Sequence, residues 1–406
     1  MMETGNALEG VKVVEFGGYA AGPHIGKVLG NFGAVVVHVE SHDRPDGFRL
    51  EYPPYKEGRP GVDRGGCFAF FNDSKYGVTL NLKTPAGLAL AHRLIDWADL
   101  VVENMRPGVM ARLGLGYRDV CETHPDLVFL STCNMGQSGP RAHTPGFGSQ
   151  LSSLAGFCGT IGETDGPPML LYGPYIDFIA SGLGTAAVLA ALDRSRRTGK
   201  GAELDLSQYE TGLHFMAGAL FDQDRTGAVA TRRGNADTVA APHGAYPCRD
   251  DRWLALSCRS DEEFQTLLRC LDLPELATDP RFVTGAARHV HLTELDGVIT
   301  QACAMRDAGE AAEALQAAGI TAHPVNTVAD LFDDPQLEDY RNWRRRYHPV
   351  IGDQAYWFPG PALSATPGEV TRAAPLLGAD NETVFKQLLG MKDREFDDQK
   401  ARGTFE

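Results

Sequence analysis

The sequence predicts a doubly wound α/β domain joined to a second, smaller domain. Three observations carry that expectation. Strand-like runs alternate with helix-like runs through the first half of the chain. One strand run, Ala34–Val39, is continuously apolar but for His38, as a parallel strand covered on both faces must be. From Thr226 the segment TGAVATRRGNADTVAAPHG turns polar, Gly-rich and aperiodic, which marks a crossing between domains.

In chain order, Lys12–Phe16 reads as a strand and Gly17–Pro23 as a turn. Pro23 suits the first position of a helix, and that helix runs to about Phe32, with Gly33 ending it. Ala34–Val39 is a second strand, closed by Glu40, so the unit is βαβ. Thr84–Ala98 reads as a helix with Pro85 just inside its start, and Leu100–Asn104 and Leu127–Ser131 read as strands. An apolar helix follows Asp177, and Ala202–Leu206 is the next strand. Trp253–Ser257 is strand-like in the second domain, and near Ala322–Val325 the chain returns to the first. DNETVFKQLLG reads as a capped helix ending at Gly390. The expected division is 1–225, 226–325 and 326–406.

With 43% hydrophobic and 22% charged residues, the 406-residue chain has the composition of a globular protein rather than a disordered one. A net charge of −15 argues against nucleic acid as a partner, although a local basic pocket remains compatible with it. No run reaches the ~20 apolar residues of a membrane span, and the N-terminus lacks the basic-then-apolar order of a secretory signal. The eight cysteines show no C-x-x-C and no zinc spacing. The expectation is a cytoplasmic, reduced protein with buried structural cysteines and no metal.

The first turn invites a dinucleotide reading, but the fingerprint needs a second glycine where Tyr19 stands. The chain is therefore not expected to bind NAD there. Asp177 has two readings. Asp is a favoured helix cap before an apolar helix; a carboxylate in the field of a helix N-terminus is also a ready nucleophile. Ala180, Gly184, Ala187 and Ala191 make one small-residue face, and Gly182 and Gly184 each cost about 1 kcal/mol of helix propensity. Close approach of a backbone or a ligand would explain that. Lys75, Lys83, Arg106 and Arg112 read either as solvated surface or as a phosphate pocket. Arg194, Arg196 and Arg197 complement a helix C-terminus closed by Gly199.

Three blocks together carry a family resemblance: LEGVKVVEFGGYAAGPHIGKVLGNFGAVVVHVE, NLKTPAGLALAHRLIDWADLVVENMRPGVMARLGLGY and GPYIDFIASGLGTAAVLAALDRSRRTGKGAELDLSQYE. They resemble the class III CoA-transferases, the family of formyl-CoA and carnitine CoA-transferases. The resemblance implies an open Rossmann-like large domain with a smaller α+β domain, two subunits interlocked as a dimer, and acyl-CoA as substrate. It implies that Asp177 attacks the donor thioester and then carries CoA as an aspartyl thioester. It places Tyr19 and Ala20 near the reacting thioester, and Leu80, Lys83, Asn104, Met105 and Arg112 along coenzyme A. Gln137, Phe147, Gln150 and Tyr175 fall where the acyl pocket would be, and Tyr172 adds to a hydrophobic lining. Ser41 stands where a basic residue is frequent. The related racemases use a histidine in a G-H-D motif; here the stretch reads Gly146-Phe147-Gly148, with His143 displaced. The block from Gly17 to Leu50 is similar to the benzylsuccinate branch, which takes CoA from succinyl-CoA and pairs two related subunits. A homodimer or such a heteromer is expected, and a racemase or a non-catalytic acyl-CoA-binding subunit are the alternatives.

Overall fold

The computed structural model describes residues 5–249, 251–358 and 360–406. The chain divides into two compact units, one of Met1–Phe157, Leu170–Ala228 and Pro335–Glu406, the other of Cys158–Met169 and Val229–Asp334. The second unit takes in 158–169, which the sequence reading had left in the first.

The first unit is built on six parallel strands: β1 (Lys12–Phe16), β2 (Val35–Glu40), β3 (Tyr76–Thr79), β4 (Leu100–Glu103), β5 (Val128–Cys133) and β6 (Ala202–Ser207). Their spatial order is β3-β2-β1-β4-β5-β6, the order of a Rossmann sheet. Val14 sits between Val37 and Val101 in register, and all three are fully buried. That is why β1, β2 and β4 carry valines at successive positions, whereas β6, AELDLS, alternates with Glu203 and Asp205 exposed. Helix α1 (Ala21–Asn31) follows the first turn. Strand β3, YGVT, is absent from the sequence reading: four residues carry too little pattern to register. Thr84 caps the helix Pro85–Trp97 as its sequence suggests, accepting from Gly87 N. The stretch Thr383–Leu388 is helical but π-type, not the α-helix expected from its cap. Residues after 335 return to the first unit, where Asp380 and Asn381 accept backbone N–H groups of Gly77 and Thr79.

Two further helices matter to the site, α2 (Gly148–Leu154) and α3 (Tyr175–Thr198). Gly199, left-handed at φ 66°, closes α3 as predicted. By length and composition α3 could cross a membrane, contrary to the sequence expectation. In the fold it buries Ile176, Ala180, Ser181, Gly184 and Val188 along one face. Gly184 has its reason there: a Cβ would come within 2.8 Å of Ile25 and 2.9 Å of Leu206. Gly182 has no such neighbour. Strands β7 (His243–Pro247), β8 (Trp253–Ser257) and β9 (Thr321–Pro324) form an antiparallel sheet in the second unit, whose core gathers Leu254, Leu256, Phe264 and Ile299. Five cysteines are buried, but Cys67, Cys121 and Cys270 are only partly so.

Candidate active site

Ligands in parallel sheets bind beyond the carboxyl ends of the strands, where the strand order reverses. Here the reversal lies between β1 and β4. Two cavities open there, both walled by the first unit. The larger, about 1040 Å³, is lined by residues following β1 (Tyr19, Ala20), β4 (Asn104–Pro107), β5 (Asn134) and β6 (Gln208), and by Asp177. The smaller, about 710 Å³, lies over β1, β2 and β3 and includes Ser41, Leu80 and Lys83.

Asp177 is not the helix cap. Pro174 holds that position, and Asp177 sits in the first turn of α3, its N–H on Pro174 O at 3.1 Å. Its side chain is thus free to face the larger cavity. Oδ2 is buried without a hydrogen-bond partner. Burial pushes the carboxyl up to about 7, offset only in part by its own backbone N–H. A carboxylate kept short of partners is a stronger base and nucleophile than a solvated one. Gly148, the first residue of α2, abuts that oxygen so closely that a Cβ there would collide with it. This is the reason for glycine at 148.

The first turn is set by side chains pressing on its backbone. Asn104 Oδ1 accepts from Gly18 N at 3.0 Å while its Nδ2 donates to Gly18 O at 2.6 Å, clamping the two peptide groups that flank Gly18. A Cβ on Gly17 would strike Asn104, and one on Gly18 would strike Asp46. The two glycines therefore serve the turn's own packing, and both line the smaller cavity. Helix α1 has no side-chain cap, and its N-cap residue Ala20 lines the larger cavity.

The structure brings most of the predicted residues together. Ala20, Asn104, Arg112, Phe147 and Asp177 line the larger cavity, Leu80 and Lys83 the smaller, and Tyr19 and Met105 both. Tyr172, Arg106 and His143 also face the larger one, so His143 is displaced in sequence but not from the cavity. Gln137, Gln150 and Tyr175 line neither. Gln137 is engaged instead, its N–H on Asp205 at 2.9 Å and its Nε2 on Glu103 at 3.2 Å. Gln150 is exposed on α2, and Tyr175 packs edge-on to Phe157, two residues before the Asp177 face. Lys75 is no surface residue: it is fully buried on Glu15. Lys83 is exposed and paired with Asp43 at 2.7 Å.

The reading of the sequence missed the aromatic wall: Phe48, Tyr52, Phe70, Phe71 and Phe178 line the larger cavity, with Cys67 among them. The dense GCFAFFND run was its available signal. Among the described residues, no cluster of three His, Cys, Asp or Glu side chains is placed to hold a metal.

Known proteins match this architecture along nearly the whole chain. The model of CoA-transferase family III matches residues 8–381. The succinyl-CoA–D-citramalate CoA-transferase of Chloroflexus aurantiacus is 32% identical over 386 residues, 95% of each chain. The beta subunit of succinyl-CoA–L-malate CoA-transferase from the same organism is 29% identical, over 97% of each chain. A crystal structure of a CAIB/BAIF family protein from Brucella suis superposes with a TM-score of 0.87 at 27% identity, over 95% of this chain and 100% of that one.

Proposed function

The chain belongs to CoA-transferase family III, and we propose that it moves CoA from succinyl-CoA to a carboxylic acid through a covalent thioester on Asp177. The observation that carries this is the Asp177 carboxyl on the wall of the larger cavity, desolvated and with Oδ2 buried without a hydrogen-bond partner. Its ionised oxygen attacks the thioester carbonyl, the C–S bond breaks, and a mixed anhydride and CoA thiolate result. The thiolate attacks the aspartyl carbonyl, releasing the donor acid and leaving CoA on Asp177. The acceptor carboxylate then runs the two steps in reverse. Splitting one exchange into several easier ones is covalent catalysis, and the uncapped amides of α1 are oriented donors for the oxyanions formed on the way. The CoA nucleotide occupies the smaller cavity near Leu80 and Lys83, and the acyl end lies in the larger.

The donor assignment draws on relatives named for succinyl-CoA. For the acceptor, the aromatic wall favours an acid with an aryl group, benzylsuccinate being the example the sequence suggests. A heteromer with a related subunit accords with relatives named as alpha and beta subunits. A racemase reading has one observation behind it, His143 on the same cavity as Asp177; loss of an α-deuterium from labelled acyl-CoA without any CoA exchange would favour it.

The test is intact-protein mass spectrometry after brief incubation with succinyl-CoA. A CoA adduct on Asp177 that is missing from Asp177→Ala is expected. No adduct on the native chain would overturn the covalent route.

A further inference from the structure

We propose that Tyr19 is the partition between the two cavities, its backbone pinned by Asp46, and that it keeps water from a CoA thioester carried on Asp177. The inference rests on the CoA-transfer reading above. It begins from placement. Tyr19 and Met105 are the residues shared by both cavity walls, and they follow β1 and β4, the strands that flank the reversal of strand order.

The conformation of Tyr19 is costly and is held from several sides. Its φ is 62°, a left-handed value that costs an aromatic residue about 1–2 kcal/mol. Such strain persists only where the surroundings over-determine it. Buried Asp46 does so: its Oδ1 accepts from Tyr19 N at 3.0 Å and from Phe48 N at 2.8 Å. The Tyr19 hydroxyl donates to Glu51 at 2.7 Å. Its ring lies where a side chain at 47 would be, so Gly47 is needed to admit it. The ring meets Phe147 edge-on, 5.6 Å between centroids, and the next residue, Gly148, abuts the Asp177 carboxyl. Tyr19 is therefore one contact removed from the nucleophile. Packing alone asks for none of this: a buried aromatic can fill space without strain and away from the boundary of two cavities.

The consequence is chemical. In the aspartyl-CoA state water competes with the acceptor. Water oxygen adds to the thioester carbonyl, the C–S bond breaks, CoA leaves as the thiol with one proton from that water, the other proton passes to solvent, and the Asp177 carboxylate returns. The sum is hydrolysis of the donor thioester. Excluding water from the site suppresses that branch, and removing the Tyr19 ring merges the cavities and opens it.

The experiment needs no knowledge of the acceptor. With the full chain, entry of isotopic label from succinate into succinyl-CoA measures transfer, and thiol release without other acceptor measures hydrolysis. In Tyr19→Ala the ratio of hydrolysis to exchange should rise about tenfold or more, a shift equivalent to ~1.4 kcal/mol between the two barriers. Asp46→Ala, which frees the Tyr19 peptide, should move the ratio the same way, whereas Tyr19→Phe, which keeps the ring, should leave it near the native value. A partly unfolded preparation lowers both rates and does not move their ratio. An unchanged ratio in Tyr19→Ala, with exchange still present, overturns the partition while leaving CoA transfer intact. Absence of exchange and of any adduct in the native protein overturns the succinyl-CoA reading, and the partition with it.

Discussion

Asp177 carries an ionisable group where burial works against its charge, and both stability and rate should record that. Its carboxyl is pushed up to about 7 from an ordinary 3.8. A raised carboxyl makes the folded state hold its proton where the unfolded chain has released it. Stability from this group is then present below about pH 4, falls as pH rises, and is fully lost above about 7. Asp177→Asn removes the titration while keeping the size. Its melting temperature relative to the native protein should therefore climb between pH 4 and 7 and hold steady beyond, as a pH series of thermal melts would show. On the proposed route the opposite requirement governs chemistry, since only an ionised oxygen attacks. In the native enzyme kcat/KM for acyl-CoA should rise about tenfold per pH unit below 7 and level above it. A flat profile from pH 5 to 9, with a flat difference in melting temperature, would mean that the carboxyl is ionised throughout.

At the scale of elements, α3 poses its own test through two glycines two residues apart. A Cβ at 182 meets nothing within 4 Å, whereas one at 184 comes within 3 Å of Ile25 and Leu206. Ile25 is fully buried and cannot swing clear. Gly182→Ala should stabilise by about 1 kcal/mol, the helix-propensity difference. Gly184→Ala should be less stable than Gly182→Ala by at least about 1 kcal/mol, because overpacking a tight contact costs about 1–3 kcal/mol. Chemical denaturation of the pair would decide it. The same helix shows what a sequence reveals and what it withholds. Its small-residue face was legible, because spacing by three and four residues is a local signal; so was the first βαβ unit, whose Val-rich strands admit no other place than a doubly covered sheet. Strand β3 was not, since its four residues are held by pairing with Val37–Glu40 and not by pattern. The proposed nucleophile was only half legible. Local physics favoured Asp177 as a cap over a catalytic group, yet Pro174 took that role; family resemblance carried the chemical reading. The aromatic wall joins segments near 48, 70, 147 and 178, and no local period links residues that distant.

At the scale of the first unit, the site stands on a charged network buried beneath the turn that holds Tyr19. Lys75, fully buried, donates to Glu15 at 3.0 and 3.1 Å, to Pro23 O at 2.7 Å and to Asn72 at 2.8 Å. His38 Nδ1 lies 2.5 Å from the same Glu15. Beside them Arg49 grips Glu40, reaches Asp63 and donates to Pro375 O, tying the C-terminal return to the sheet. Burial by itself would raise the Glu15 carboxyl, but Lys75 and His38 hold it at about 2, below an ordinary 4.5. That depressed carboxyl contributes stability above about pH 4.5, which is lost as pH falls toward 2. Replacing two buried partners with apolar groups can be neutral, but removing one leaves a charge stranded at a cost of about 3–5 kcal/mol. Lys75→Met should therefore lose that much near pH 7, and Lys75→Met with Glu15→Leu should lose less than the single change. The pH dependence separates a stranded charge from a simple packing defect. Without Lys75, burial pushes Glu15 up and it takes a proton readily, so the deficit of the single variant should shrink as pH falls from 7 toward 4. A deficit that stays constant over that range in urea titrations would show that His38 alone suffices for Glu15, and that Lys75 acts through the Pro23 carbonyl and Asn72 as a strut between the sheet and α1.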